Sequence, residues 1–254
     1  MDLEIYQNNQ AFTWEDDDLK FDHTRLVLKS KNDEYFYATT PDRLNPNHKV
    51  DVSKLKLIPI PMNDIWPPFA ASFTQAPAPL SDNIHYVKTP SLLLYGDAEE
   101  ASRDIGAQIL NEIVACEVLM KYPHPNVATY FGCIAKDGRV GGLCFTKYPR
   151  TLSERMRMPM PFDVQRCQQG IREAVEHMHQ HGLIHNDLNP TNIMIDDNDN
   201  PVIIDFDSCK PEGAELGLKA GTHGWTKDDS KYAVRENDLY ALEKIDEFLM
   251  QFKK

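Results

Sequence analysis

The chain has 254 residues, 41% of them apolar, a mean hydropathy of −0.50, and a formal net charge of −12 from 39 acidic against 27 basic residues. That composition suits a soluble globular chain with room for one domain of two lobes, and the charge argues against a nucleic-acid partner, whose phosphates such a surface would repel. No stretch approaches the length of a membrane span, and the polar start MDLEIYQNNQ lacks the basic and then apolar segments of a secretion signal. The cytoplasm is therefore the expected location, with the nucleus left open.

Cys116, Cys133, Cys144, Cys167 and Cys209 are far apart and mostly flanked by apolar residues, so they read as buried thiols and not as metal pairs. The histidines are scattered without zinc spacing. The run Glu15-Asp16-Asp17-Asp18 reads as solvated surface, with a docking patch for a basic partner as the alternative.

In chain order, Leu26-Val27-Leu28 and Tyr35-Phe36-Tyr37 flank Lys31-Asn32-Asp33 as a hairpin would, and Leu55 to Ile60 gives a further strand. From Pro59 to Pro79 prolines are too frequent for a regular ladder or helix. Ile84 to Leu94 reads as strand. Ile105, Ile109, Ile113, Cys116, Leu119 and Met120 then recur at helical spacing over 105–120. Strands follow at Val127 to Ile134 and Val140 to Tyr148, around the turn pair Asp137-Gly138. Phe162 to His181 predicts a helix closed by Gly182. Ile193 to Ile195 and Val202 to Phe206 predict a hairpin, Pro211 to Lys227 a loop, and Glu236 to Phe252 a last helix with Leu239, Leu242, Ile245, Phe248 and Leu249 inward. Strands first and helices second, without repeats, predict an α+β fold.

The segment Ile184-His185-Asn186-Asp187-Leu188-Asn189-Pro190-Thr191-Asn192, with Asp205-Phe206-Asp207 after the second hairpin, carries the chemistry. Read singly, Asp187 and Asn192 could be turn and cap residues and Asp205 a strand-end carboxylate. Read together, the two segments resemble the catalytic loop (H-R-D-L-x-x-x-N) and metal loop (D-F-G) of protein kinases. The resemblance implies a bilobal protein-kinase-like fold with a divergent small lobe, 1–148, that includes the 105–120 helix and the hinge. The large helical lobe, 149–254, is expected to be truncated, because the chain ends soon after the last predicted helix.

It also implies roles. Asp187 would orient or deprotonate the attacking hydroxyl, Asn192 and Asp205 would hold magnesium, and Lys88 would contact nucleotide phosphates in an ion pair with Glu112, with Glu117 as the rival partner. Phe145, Thr146, Lys147, Tyr148 and Met194 would line the nucleotide's place, Phe145 near the gatekeeper position. His185 and Phe206 would pack behind the site, and Asp238 would brace the catalytic loop through backbone hydrogen bonds. The implied cofactors are ATP and Mg, and the implied partners are a nucleotide and a protein substrate, or a protein partner, with no nucleic acid or membrane.

Several positions depart from the pattern. No glycine-rich loop precedes Lys88, and Tyr86 stands where a small residue usually faces adenine, so its ring could fill that space. Asn186 replaces the loop arginine that pairs with a phosphorylated activation segment, Asn189 the loop lysine, and Asp207 the last glycine of D-F-G. Thr226-Lys227-Asp228-Asp229 stands in place of A-P-E, after Gly221-Thr222-His223-Gly224-Trp225. The stretch from Tyr130-Phe131-Gly132-Cys133 to Lys147-Tyr148-Pro149 resembles compact kinase-like proteins of fungi. Two functions stay open: a Ser/Thr-kinase-like phosphotransferase, and a pseudokinase that uses the fold as a protein-binding or regulatory scaffold.

Overall fold

A computed structural model describes residues 2–15, 18–44, 50–93, 95, 99–216, 221–227 and 230–252, without the side chains of Asp64 and residues 99–104. Asp16 and Asp17 of the acidic run, Leu94, residues 217–220 of the predicted loop, and Asp228 with Asp229 lie outside the described residues. The chain forms two compact units, Met1–Pro67 with Thr89–Ala107, and Pro68–Lys88 with Gln108–Lys254.

The first unit is an antiparallel sheet in the order β1 (Leu3–Glu15), β2 (Asp18–Ser30), β3 (Tyr35–Thr40), β4 (Ile58–Ile60), followed by a one-turn helix α1 (Met62–Ile65). The predicted hairpin is β2–β3, with Leu26 opposite Ala38 and Leu28 opposite Phe36. Leu26, Leu28 and Ala38 form a core against which Leu3, Phe36, Leu55 and Leu57 pack. The sequence gives no warning of β1. Its polar centre carries no apolar alternation, and it becomes a strand because β2 offers thirteen residues of free edge. Leu55 and Leu57 reach the core from outside a strand, so β4 is shorter than the predicted 55–60.

The second unit carries the site. Its strands are β5 (His85–Lys88), β6 (Tyr130–Lys136), β7 (Arg139–Thr146), β8 (Arg150–Thr151), β9 (Leu183–Ile184), β10 (Ile193–Ile195), β11 (Pro201–Ile203) and β12 (Lys210–Pro211). The helices are α2 (Glu99–Lys121, shared with the first unit), α3 (Leu152–Met156), α4 (Val164–Gln180) and α5 (Arg235–Met250). Three small sheets result, β5-β7-β6, β11-β10-β8 and β12-β9. Asp137 and Gly138 both adopt positive φ, 52° and 74°, as a two-residue hairpin turn requires. All five cysteines are buried. Among the described residues no helix is long and apolar enough to cross a membrane.

The proline-rich stretch is not irregular throughout, since β4 takes in Pro59 and α1 follows Pro61; only its later part, residues 69–76, forms a strap along β6. Phe69 N–H donates to Gly138 O, Cys133 N–H to Thr74 O, and Ala76 N–H to Cys133 O. Residues 69–76 therefore lie on the β6 side of the sheet, while β5, which carries Lys88, is the opposite edge. The close approach needs Gly132, whose φ is +121° and whose added Cβ would sit 2.6 Å from Thr74 O and 2.7 Å from Ala76 N. Gly132→Ala should lower stability by about 2 kcal/mol or more, seen as a lower urea midpoint at unchanged slope. A neutral result would mean that the strap is not held against β6.

Two predicted helices need correction in detail. α4 begins at Val164, where Asp163 caps the chain by accepting from Arg166 N–H, and Gly182 follows its end at φ +71°. α5 buries Leu242, Ile245 and Leu249 as expected, but Leu239 is 48% exposed. The inward positions of its first turn belong to Asp238, which accepts from backbone N–H groups, and Asn237, which donates to Asn186 Oδ1 and Tyr232 O, and these bonds set the helix's phase. α3, too short to show periodicity, is fixed by a capping box between Thr151 and Glu154.

Candidate active site

β5 and α2 bring Lys88 and Glu112 together. The Lys88 ammonium lies 2.7 and 2.8 Å from the Glu112 carboxylate oxygens and 2.5 Å from Asp205 Oδ1. Glu117, the rival partner, instead accepts from Thr74 N–H and Oγ1–H, holding the strap. Burial works against the Lys88 charge, but the carboxylates of Glu112, Asp205 and Asp207 outweigh it and hold its pKa well above the ordinary lysine value. Burial pushes the Glu112 carboxyl up, with Lys88 pulling it back down.

These residues face a cavity of about 350 Å³. Phe145, Thr146, Lys147 and Tyr148 line it from the end of β7 onward, and Met194 lines it from β10. Ala128 and Ile204 complete the apolar wall; nothing in their own sequence pattern marks them for it. Tyr86 forms part of the wall with 53% of its surface exposed, and the space stays open beside it. Along the hinge, Thr146 N–H donates to Thr129 O and Lys147 N–H to Ile84 O.

Asp187 and Asn192 are buried beside this cavity and do not line it. Asn192 Nδ2–H donates to the backbone oxygen of Asp187 at 2.9 Å and to its Oδ2 at 3.1 Å, and Asn192 O accepts from Ile204 N–H. Asp187 Oδ1 accepts from Thr222 N–H at 2.8 Å and Asn189 Nδ2–H at 3.2 Å, and Asn189 also donates to Thr222 Oγ1. Asn189 thus lies against the aspartate where the resemblance expects a lysine. Thr222 is a contact that the sequence marked only as part of the segment Gly221-Thr222-His223-Gly224-Trp225.

The loop is braced from α5 and from its own histidine. Asp238 accepts from His185 N–H (2.9 Å), Asn186 N–H (2.8 Å) and His179 Nε2–H (2.8 Å). His185 donates to Ile204 O, accepts from Asp187 N–H, and meets the Phe206 ring edge-on. Asn186 and Asp205 adopt left-handed φ values of 63° and 65°, which asparagine and aspartate tolerate best among residues with a side chain.

A lysine–glutamate pair joined to a strand-end aspartate, beside a loop braced from the helix below, defines a protein kinase domain. The family model of that domain matches residues 95–226, just over half of the chain, and the chain belongs to the protein kinase family. It is 26% identical over 121 residues to cyclin-dependent kinase 7 of Carassius auratus, covering 47% of this chain and 34% of that protein. It is 35% identical over 69 residues to serine/threonine-protein kinase SBK2 of Rattus norvegicus (26% and 19%), and 36% over 63 residues to serine/threonine-protein kinase ksg1 of Schizosaccharomyces pombe (25% and 10%). The chain spans about a third or less of the length of these relatives.

Proposed function

We propose that this chain is an ATP- and magnesium-dependent phosphotransferase of the protein Ser/Thr kinase kind, moving the γ-phosphoryl group to a hydroxyl of a protein substrate. The observation that carries the reading is the ammonium of Lys88 held between Glu112 and Asp205 at the wall of an open cavity. A lysine kept charged and aimed by a buried carboxylate is suited to meet phosphate oxygens. In this reading we put the lobe boundary at 148/149, just after the hinge.

The side chains fit the two implied groups. Asp205 offers carboxylate oxygen, and Asn192, whose amide nitrogen is engaged by Asp187, offers its carbonyl oxygen, a donor set suited to magnesium together with phosphates. When bound, the metal would neutralise charge on the transferring phosphoryl group. The hinge amides of Thr146 and Lys147 are engaged by protein carbonyls, and the backbone from Thr146 to Tyr148 is the part of the hinge that would face adenine. Phe145 and Met194 enclose the ring.

Asp187 is the group to receive the acceptor hydroxyl's hydrogen bond. Its Oδ1 already accepts from Thr222 N–H and Asn189 Nδ2–H, whereas Oδ2 accepts from Asn192 Nδ2–H and has a second lone pair to offer the hydroxyl. As the oxygen–phosphorus bond to the acceptor forms and the bond to the leaving diphosphate breaks, the hydroxyl proton passes toward this carboxylate.

The pseudokinase reading has its own support. Residues 69–76 lie along β6, away from the β5 edge where phosphates would need cover, and Asp187 is surrounded by amide donors with no lysine among the contacts described above. Calorimetric titration of ATP, with and without magnesium, separates the two. Magnesium-dependent binding, weakened tenfold or more in Asp205→Ala, is expected. Absence of binding, with no thermal stabilisation by the nucleotide, would move the conclusion to a scaffold.

A further inference from the structure

The residues after Asp205 form too short and irregular a segment to satisfy their own backbone, yet Ser208 is 4% and Cys209 1% exposed. Buried carbonyls need partners. Three consecutive ones find them in side-chain amides. Asn111, on α2 next to Glu112, donates through Nδ2 to Asp207 O at 3.0 Å and Cys209 O at 2.5 Å. Asn186, in the loop before Asp187, donates through Nδ2 to Ser208 O and to Ile184 O, both at 3.0 Å. Its Oδ1 accepts from Asn237 Nδ2–H of α5 at 3.0 Å, and Asn237 also donates to Tyr232 O. A primary amide has two N–H donors, so each asparagine can hold two carbonyls with no charge to desolvate.

We infer that Asn111 and Asn186 are positioning residues, a neutral clamp that fixes the 207–209 backbone from two sides and so keeps Asp205 facing Lys88. The inference rests on the proposed role of Asp205 and deepens it. Asp205 is held by Lys88 on its cavity side and by this clamp on the other. Asn186 cannot pair with a phosphate as an arginine would, and its amide is engaged inside the fold.

The test uses the full chain in hydrogen exchange read by mass spectrometry, with Asn111→Leu and Asn186→Gly. Leucine matches the size of asparagine without the donors, and glycine tolerates the left-handed φ of position 186. Amides of 205–210 should exchange at least tenfold faster in each variant, with α4 unchanged. Unchanged exchange there in a folded variant overturns the clamp. If Asn186→Gly fails to fold, Asn111→Leu, on a half-buried helix position, carries the test alone. Magnesium–ATP affinity should fall about tenfold while metal-free ATP affinity moves less than twofold; an equal loss of both would mean a merely structural role. A wild type that binds no magnesium–ATP would defeat the proposed function, while the exchange measurement would still decide the clamp.

Discussion

Asp238→Ala should destabilise the protein by about 3–5 kcal/mol, the largest single effect expected from one side chain here. The carboxylate is 1% exposed and accepts from two successive backbone N–H groups and a histidine ring. Removing it leaves buried donors at His185, Asn186 and His179 with no route to water, each costing about 1–3 kcal/mol before relaxation. Domains are stable by only about 5–15 kcal/mol, so the variant should unfold at a far lower urea concentration. Asp238→Asn keeps one acceptor oxygen and turns an N–H toward another donor, so its loss should be intermediate. If the alanine variant costs less than about 1 kcal/mol, the loop is held by something else.

Asp187→Asn should lower phosphoryl transfer by about 10²–10⁴-fold, as loss of a positioned base does, and leave the magnesium–ATP dissociation constant within about twofold. The measurement is initial rate of ATP turnover or self-phosphorylation beside calorimetry on the same preparation. Asparagine at this position can accept from Thr222 N–H and Asn189 on one side or from Asn192 on the other, but not both, so stability should also fall by about 1–2 kcal/mol. Turnover equal in wild type and variant would mean that Asp187 takes no proton, and the pseudokinase reading would gain.

Much of the site was legible because its residues are close in sequence to the elements that place them. Asp187, Asn192 and Asp205 sit on one loop and one hairpin, and the 105–120 helix needed only its apolar period to be found. Glu112 could be chosen over Glu117 by motif alignment, and the fold assigns Glu117 to Thr74. The contacts of Asn111, Thr222 and Asn189 were not legible. An amide or hydroxyl in a loop gives no periodic signal, and its partner lies many residues away. β1 was hidden for another reason: its polar centre carries no apolar alternation, although its partner β2 follows it directly in the chain.

By itself, then, the sequence determined the order of the longer helices and of the apolar strands, the α+β class, the kinase-like loops and the charge of the groups they carry, because local pattern and short-range spacing encode those. Only the tertiary structure decided that the strap 69–76 lies along β6 and leaves β5 as the edge, that Tyr86 leaves the cavity open, and that Asp238 displaces Leu239 from the inward face of α5. Those outcomes depend on which buried donors and acceptors meet once distant segments close-pack. Satisfying such groups outweighs the preference of any one residue for its own neighbourhood.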